Sequence, residues 1–151
     1  MKLTAQWVTG FVDGEGCFHV GYNTKSKQVL PEFCVVQSTK NIQVLHALKR
    51  WFQCGVIRGL GPNTYMYRVR NHKHLYTIIL PFFLAHPCKT RKNVDYRKFR
   101  WVVNAMAHHG AHKNDEGVAA ILAVKATMNT KDRTNTVRRP KGIPREKGKD
   151  I

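Results

Sequence analysis

Trp7-Val8-Thr9-Gly10-Phe11-Val12-Asp13-Gly14-Glu15-Gly16-Cys17-Phe18 is the stretch on which the fold turns. Thr4 is a suitable N-cap, and a helix from it runs through Trp7, Val8, Phe11 and Val12 until glycine punctuates its end at Gly14 and Gly16. Gly10 and Gly14 are four residues apart, so they share one helical face and leave it bare of side chains. Two such helices can pack backbone against backbone around a two-fold axis. Glu15 then falls at the C-terminal end of its helix, where the macrodipole disfavours an anion. A second copy would bring a second Glu15 close and add like-charge repulsion. Both costs make sense if a divalent cation lies between the carboxylates, and a hard oxygen site of that kind suits Mg²⁺.

Downstream, hydrophobicity alternates strictly. Phe18, Val20 and Tyr22 fall on one face, with Cys17, His19, Gly21, Asn23 and Lys25 on the other, as in a half-buried strand. A loop from Ser26 to Pro31 is expected next, then a second strand with Phe33 and Val35 facing the core. Ser38 or Thr39 caps a helix carrying Ile42, Leu45, Leu48 and Trp51. The order repeats beyond Gly55: strands at Val56–Leu60 and Tyr65–Arg70 flank the turn Gly61-Pro62-Asn63, and a helix through Leu75, Ile78 and Ile79 ends near Pro81. Two further helices carry Tyr96, Phe99, Val103 and Met106, then Val118, Ile121, Leu122 and Met128 after an Asn114 cap. The expected fold is α+β, αββαββα with one four-stranded antiparallel sheet and two extra C-terminal helices. Residues 1–129 form the domain. Residues 130–151 hold eight Lys/Arg, three acids, two prolines and little apolar surface, which predicts a disordered basic tail.

Charge narrows the partner. Lys plus Arg number 26 against 9 acids, a formal net charge of +17. Such a field draws polyanions, with nucleic acid ahead of an anionic membrane surface or an acidic protein. No apolar run approaches the ~20 residues that span a bilayer, and the first residues lack the pattern of a signal peptide. Cys17, Cys34, Cys54 and Cys88 contain no CxxC pair, so reduced thiols are expected in an intracellular compartment, a bacterial cytoplasm or an organelle interior. His108-His109-x-x-His112 lacks a cysteine pair to complete a zinc site and is better placed in a solvated loop or against phosphate. The strand positions turned from the core are mostly cationic or amide: His19, Asn23, Lys25, Arg58, Arg68 and Arg70, with Lys27 in the first hairpin loop and Glu32 and Cys34 between them. A β-ribbon of that character can enter the DNA major groove, where Arg pairs with guanine and Asn with adenine.

The stretch Val8 to Gly16 resembles the LAGLIDADG signature in the variant form GFxDGEGxF, with Val8 and Thr9 in place of the usual Leu-Ala. Phe33-Cys34-Val35-Val36-Gln37 is similar to that family's second strand, Lys89-Thr90-Arg91-Lys92-x-x-Asp95-Tyr96 to its basic segment before a late helix, and Glu116-Gly117 to Met128-Asn129 to its final helix. The likeness spans residues 4–129. It implies a homing endonuclease of the intron-encoded type whose sheet saddles double-stranded DNA and which cuts each strand once across the minor groove of a long pseudo-palindromic site. It implies Mg²⁺, with Ca²⁺ or Mn²⁺ as substitutes, held by Glu15 with backbone help from Gly14. Gln37 would orient the attacking water, and Lys92 would stabilise charge on the scissile phosphate, with Lys89 and Arg91 as rivals. Asp13 would support the helix end rather than the metal. A single motif implies a homodimer joined through Gly10 and Gly14. The alternatives are an RNA maturase that assists its own intron RNA, and a DNA-binding regulator that no longer cuts.

Overall fold

The computed structural model describes residues 1–130; the proposed tail beyond lies outside them. Helix α1 (Ala5–Glu15) leads into β1 (Gly16–Asn23) and β2 (Gln28–Ser38). Helix α2 (Ile42–Phe52), β3 (Val56–Gly61) and β4 (Thr64–Val69) follow. A continuous helix, α3, is built from His72–His74, a π turn Leu75–Ile79 and Leu80–Ala85. Helices α4 (Lys92–His109) and α5 (Asp115–Lys125) complete the order αββαββα plus two. The strands form one antiparallel sheet in the order β1-β2-β4-β3.

Period-two alternation puts Phe18, Val20, Phe33, Val35, Tyr67 and Val69 on one face, and all are buried. The helices cover that face with Leu45, Leu48 and Phe52 of α2, Leu75, Ile79 and Phe83 of α3, and Tyr96 and Phe99 of α4. Phe18 is the hub, its ring 5.2–5.4 Å from those of Phe33, Phe83, Tyr96 and Phe99. Emptying such a site costs roughly 3–5 kcal/mol. The C-terminal end of α1 is therefore tied to the core three residues after Glu15. Gly16 makes that junction: a Cβ there would lie 2.6 Å from Val12 Cγ1 and 2.9 Å from the Val12 carbonyl oxygen.

Several local expectations need correction. The first hairpin loop is only residues 24–27, because Asn23 closes it: its Oδ1 accepts from the Lys25 and Ser26 N–H groups at 3.0 and 3.1 Å. Lys25 and Lys27 lie in that turn, not in a strand, and Lys27 adopts φ 54°. Strand β2 starts before Pro31, which pairs with Val20; β4 joins β2 only from Phe33, so the proline falls where β2 has a free side. Trp51 lies at the exposed edge of α2 against Phe82 while Phe52 takes the core position. Arg70 stands just beyond β4. Pro81 does not end its helix. The preceding π turn, in which the Leu80 N–H donates to the Leu75 carbonyl, carries α3 past a residue that has no N–H to give. His108 and His109 end α4 rather than lying in a loop, and His108 Nε2 is 2.9 Å from the Tyr76 hydroxyl. Strand β3 shifts register between Gly59 and Gly61, a bulge at the sheet's outer edge.

Candidate active site

Three segments meet at the Gly16 junction. Helix α1 delivers Glu15 to the surface, and the end of β2 places Gln37 beside it: Gln37 Nε2 donates to Glu15 Oε2 at 3.4 Å, and Asn41 Nδ2 donates to Gln37 Oε1 at 3.4 Å. From the other side comes the loop before α4. Asp13 receives the Lys89 N–H at 2.7 Å, the Thr90 N–H at 3.2 Å and the Thr90 hydroxyl at 2.5 Å. Burial would raise the Asp13 pKa, but these hydrogen bonds and the Lys92 charge outweigh it and hold the carboxyl below its usual range. The loop so clamped starts α4 at Lys92, whose ammonium donates to the Gly16 carbonyl. One donor is used there, leaving two for a ligand. Of its rivals, Lys89 is held through its backbone, and Arg91 Nη2 donates to the Thr130 hydroxyl at 3.0 Å.

Glu15 and Lys92 share an electrostatic oddity. Glu15 is the last residue of α1, and Lys92 the first of α4, where its N–H donates to the Thr90 hydroxyl at 3.3 Å. Each charge opposes its helix dipole, at roughly 0.3–1 kcal/mol apiece. A cation at the α1 end would reverse the first cost, since the last-turn carbonyls, Gly14 among them, lack helical partners. Carboxylate and carbonyl oxygens are the donors a hard divalent ion takes. Among the described residues of one chain, no three His, Cys, Asp or Glu groups gather closely enough to hold a metal. Gly10 and Gly14 are both exposed, and a Cβ on either would meet nothing within 4 Å. That face of α1 is bare, flanked by the stacked rings of Trp7 and Phe11, 5.0 Å apart.

The sheet's other face is open. The register groups Cys17, Cys34 and Arg68 in one row, His19 with Glu32 in the next, and Val36, Met66 and Arg58 in a third. Leu30, Val36 and Val56 also fall on this face, so it is less uniformly cationic than expected. Asn23 spends its carbonyl on the turn. Arg68 Nε is buried without a hydrogen-bond partner. Burial first, then the charges of Arg70 and Arg58, depress its pKa. Arg68 thus stands between two like charges with one donor unmatched. Cys17 and Cys34 are free and directly opposed; the Cys34 thiol donating to Cys17 lowers the Cys17 pKa despite burial, with help from Lys92.

Two residues not given a role by sequence tie the site's far side together. Buried Asp95 accepts the Asn129 N–H at 3.1 Å, and Asn129 Nδ2 donates to the Phe18 carbonyl at 2.8 Å. An acid three residues into α4 was a visible signal, although its partner 34 residues on was not.

The LAGLIDADG endonuclease family matches residues 8–103. The chain belongs to that family. A solved homing endonuclease, I-TnaI, superposes with TM-score 0.79 at 46% identity, covering 86% of this chain and 90% of its own. The LAGLIDADG enzyme I-SmaMI, solved on an uncleaved DNA target with calcium ions, gives 0.78 at 34% identity over 85% of this chain and 45% of its own. Among curated relatives, the probable intron-encoded endonuclease Cox1-I1b of Schizosaccharomyces pombe is 36% identical over 100 residues, and the probable intron-encoded DNA endonuclease 1 of Mycosarcoma maydis is 31% identical over 94. Those matches span 63% and 62% of this chain but only 26% and 35% of the relatives' lengths. No helix among the described residues is long and apolar enough to cross a membrane.

Proposed function

We propose that this LAGLIDADG protein is a site-specific, divalent-metal-dependent DNA endonuclease working as a homodimer. The observation that carries it is the convergence of Glu15, Gln37 and Lys92 on the Gly16 junction, beside an open face of guanidiniums. Glu15 and the Gly14 carbonyl would hold Mg²⁺, and the ion would supply Lewis acidity at the phosphate and a more acidic water. Gln37, bonded to Glu15, is set to orient that water. Lys92 has two ammonium donors left for the phosphate oxygens, where charge grows as water adds and the P–O bond to the leaving strand breaks. Arg58, Arg68 and Arg70 would meet bases and backbone, with Lys25 and Lys27 reaching phosphate from the hairpin tip and His19 beside them. The bare glycine face of α1 supports a second copy.

Incubation with a library of candidate intron-insertion sites tests this directly. Cleavage of both strands is expected with Mg²⁺, and binding without cutting is expected with Ca²⁺. Cutting that survives chelation of all divalent ions would remove the metal-dependent mechanism and bring the RNA-maturase reading forward.

A further inference from the structure

Glu32 is the sole acidic side chain in the four strands. It lies on the open face, where a carboxylate repels the polyanion that the rest of the surface attracts. Its side chain is only 13% exposed, because Arg70 and His19 from the neighbouring segments close over it. Arg70 Nε is 2.7 Å from Oε2, and His19 Nδ1 is 3.5 Å from Oε1. The register explains the meeting: His19 is Glu32's direct partner on β1, and Arg70 follows Val69, the partner of Phe33 on β4. Arg70 gives Glu32 its Nε–H, which leaves the terminal nitrogens of the guanidinium unspent.

An arginine reads guanine only when its planar fork is aligned with the base edge, whereas a loose arginine contacts phosphate in many orientations. A carboxylate that holds the Nε side fixes the plane. We propose that Glu32 is a specificity-determining positioning residue, which orients Arg70, with His19 alongside, so that the Arg70 fork reads a base edge in the major groove. This rests on the sheet being the DNA-binding face. The acid weakens attraction to DNA in general and sharpens the choice among sequences, a loss of affinity accepted for discrimination.

The test is selection of bound sites from a randomised duplex library by the full chain, comparing wild type, Glu32→Gln, Glu32→Asp, Arg70→Ala and the Glu32→Gln/Arg70→Ala double variant, each checked for folding by thermal melting. Glu32→Gln should broaden the selected site at the same base pairs that Arg70→Ala broadens, while affinity for unrelated duplex rises several-fold. Glu32→Asp keeps the charge but is too short to hold the Nε contact, so it should broaden those positions without the rise. It also serves if the glutamine variant fails to fold. The double variant should be no broader than Arg70→Ala alone. An unchanged site in both Glu32 variants overturns the proposal and leaves the endonuclease reading standing. Broadening that adds to that of Arg70→Ala also overturns it, since Glu32 would then touch a base itself. A wild type that enriches no sequence overturns both.

Discussion

Helix α5 and the pair of helix ends at the Gly16 junction treat charge in opposite ways. In α5 everything agrees with the dipole. Asn114 caps it by accepting the Gly117 N–H at 2.7 Å, Asp115 and Glu116 occupy the first turn, and Lys125 the last. At the junction the terminal charges disagree with it: an anion closes α1 and a cation opens α4, although Asp95 in the first turn of α4 follows the rule. The same chain thus follows the ordinary rules of helix stability in one place and breaks them twice within reach of one carbonyl. Where a rule is broken on both sides of one point, a ligand from outside the fold would supply the reason, and the proposed metal ion and phosphate have the charges required.

Experiments can break that contrast. The largest effect is expected from Glu15→Gln, which removes the carboxylate charge but keeps size and hydrogen bonding. Single-turnover cleavage should fall by orders of magnitude while DNA binding persists and the melting temperature holds or rises, since a charge opposed to the dipole is gone. Near-normal cleavage would sink the assignment. Lys92→Ala should slow single-turnover cleavage by about 10²–10³-fold, the usual loss for one donor aimed at developing charge, again without loss of stability. Gly10→Leu or Gly14→Leu should convert a dimer to folded monomer in sedimentation, because within one chain the added side chain meets open space. A variant that stays dimeric places the interface elsewhere.

The contrast is sharpened from the other side by Asn114→Ala. It should lower stability by about 1 kcal/mol in denaturant unfolding and leave the cleavage rate alone. Smallest is an acid-limb effect at Asp13. Its pKa is lowered in the fold, so its contribution is present above the ordinary carboxylate pKa and is lost as pH falls through the lowered value. Asp13→Asn should flatten that limb in melting curves taken between about pH 5 and 2. An unaltered limb would mean that the clamp on Lys89 and Thr90 does not contribute to stability.

The motif stretch made much of this legible. Spacing alone put Gly10 and Gly14 on one face and Glu15 at a helix end, and alternation separated Phe18 from His19. What failed was set by local chemistry or by distant partners. That the Asn23 side-chain carbonyl closes its own turn is not visible in a strand pattern. Pro81 looked like a stop because a π turn has no sequence period of its own. The open face looked cationic because its apolar members were left out; Val36 and Val56 are apolar and exposed on it. Glu32 was visible on that face, but its grip on Arg70 spans 38 residues and two strands.

A sheet kept open on one face to take a ligand carries a second hazard at its rims, where unpaired strands invite another sheet to join. Each rim of this one is obstructed in its own way. Along β1 the Phe18 carbonyl is already taken by the Asn129 amide, so an incoming strand finds that position spoken for. Along β3 the register break between Gly59 and Gly61 bends the line of free groups out of step with any straight partner. Both devices sit in the backbone plane and leave the broad face untouched. Both rims therefore discourage sheet-to-sheet pairing while the broad face stays open.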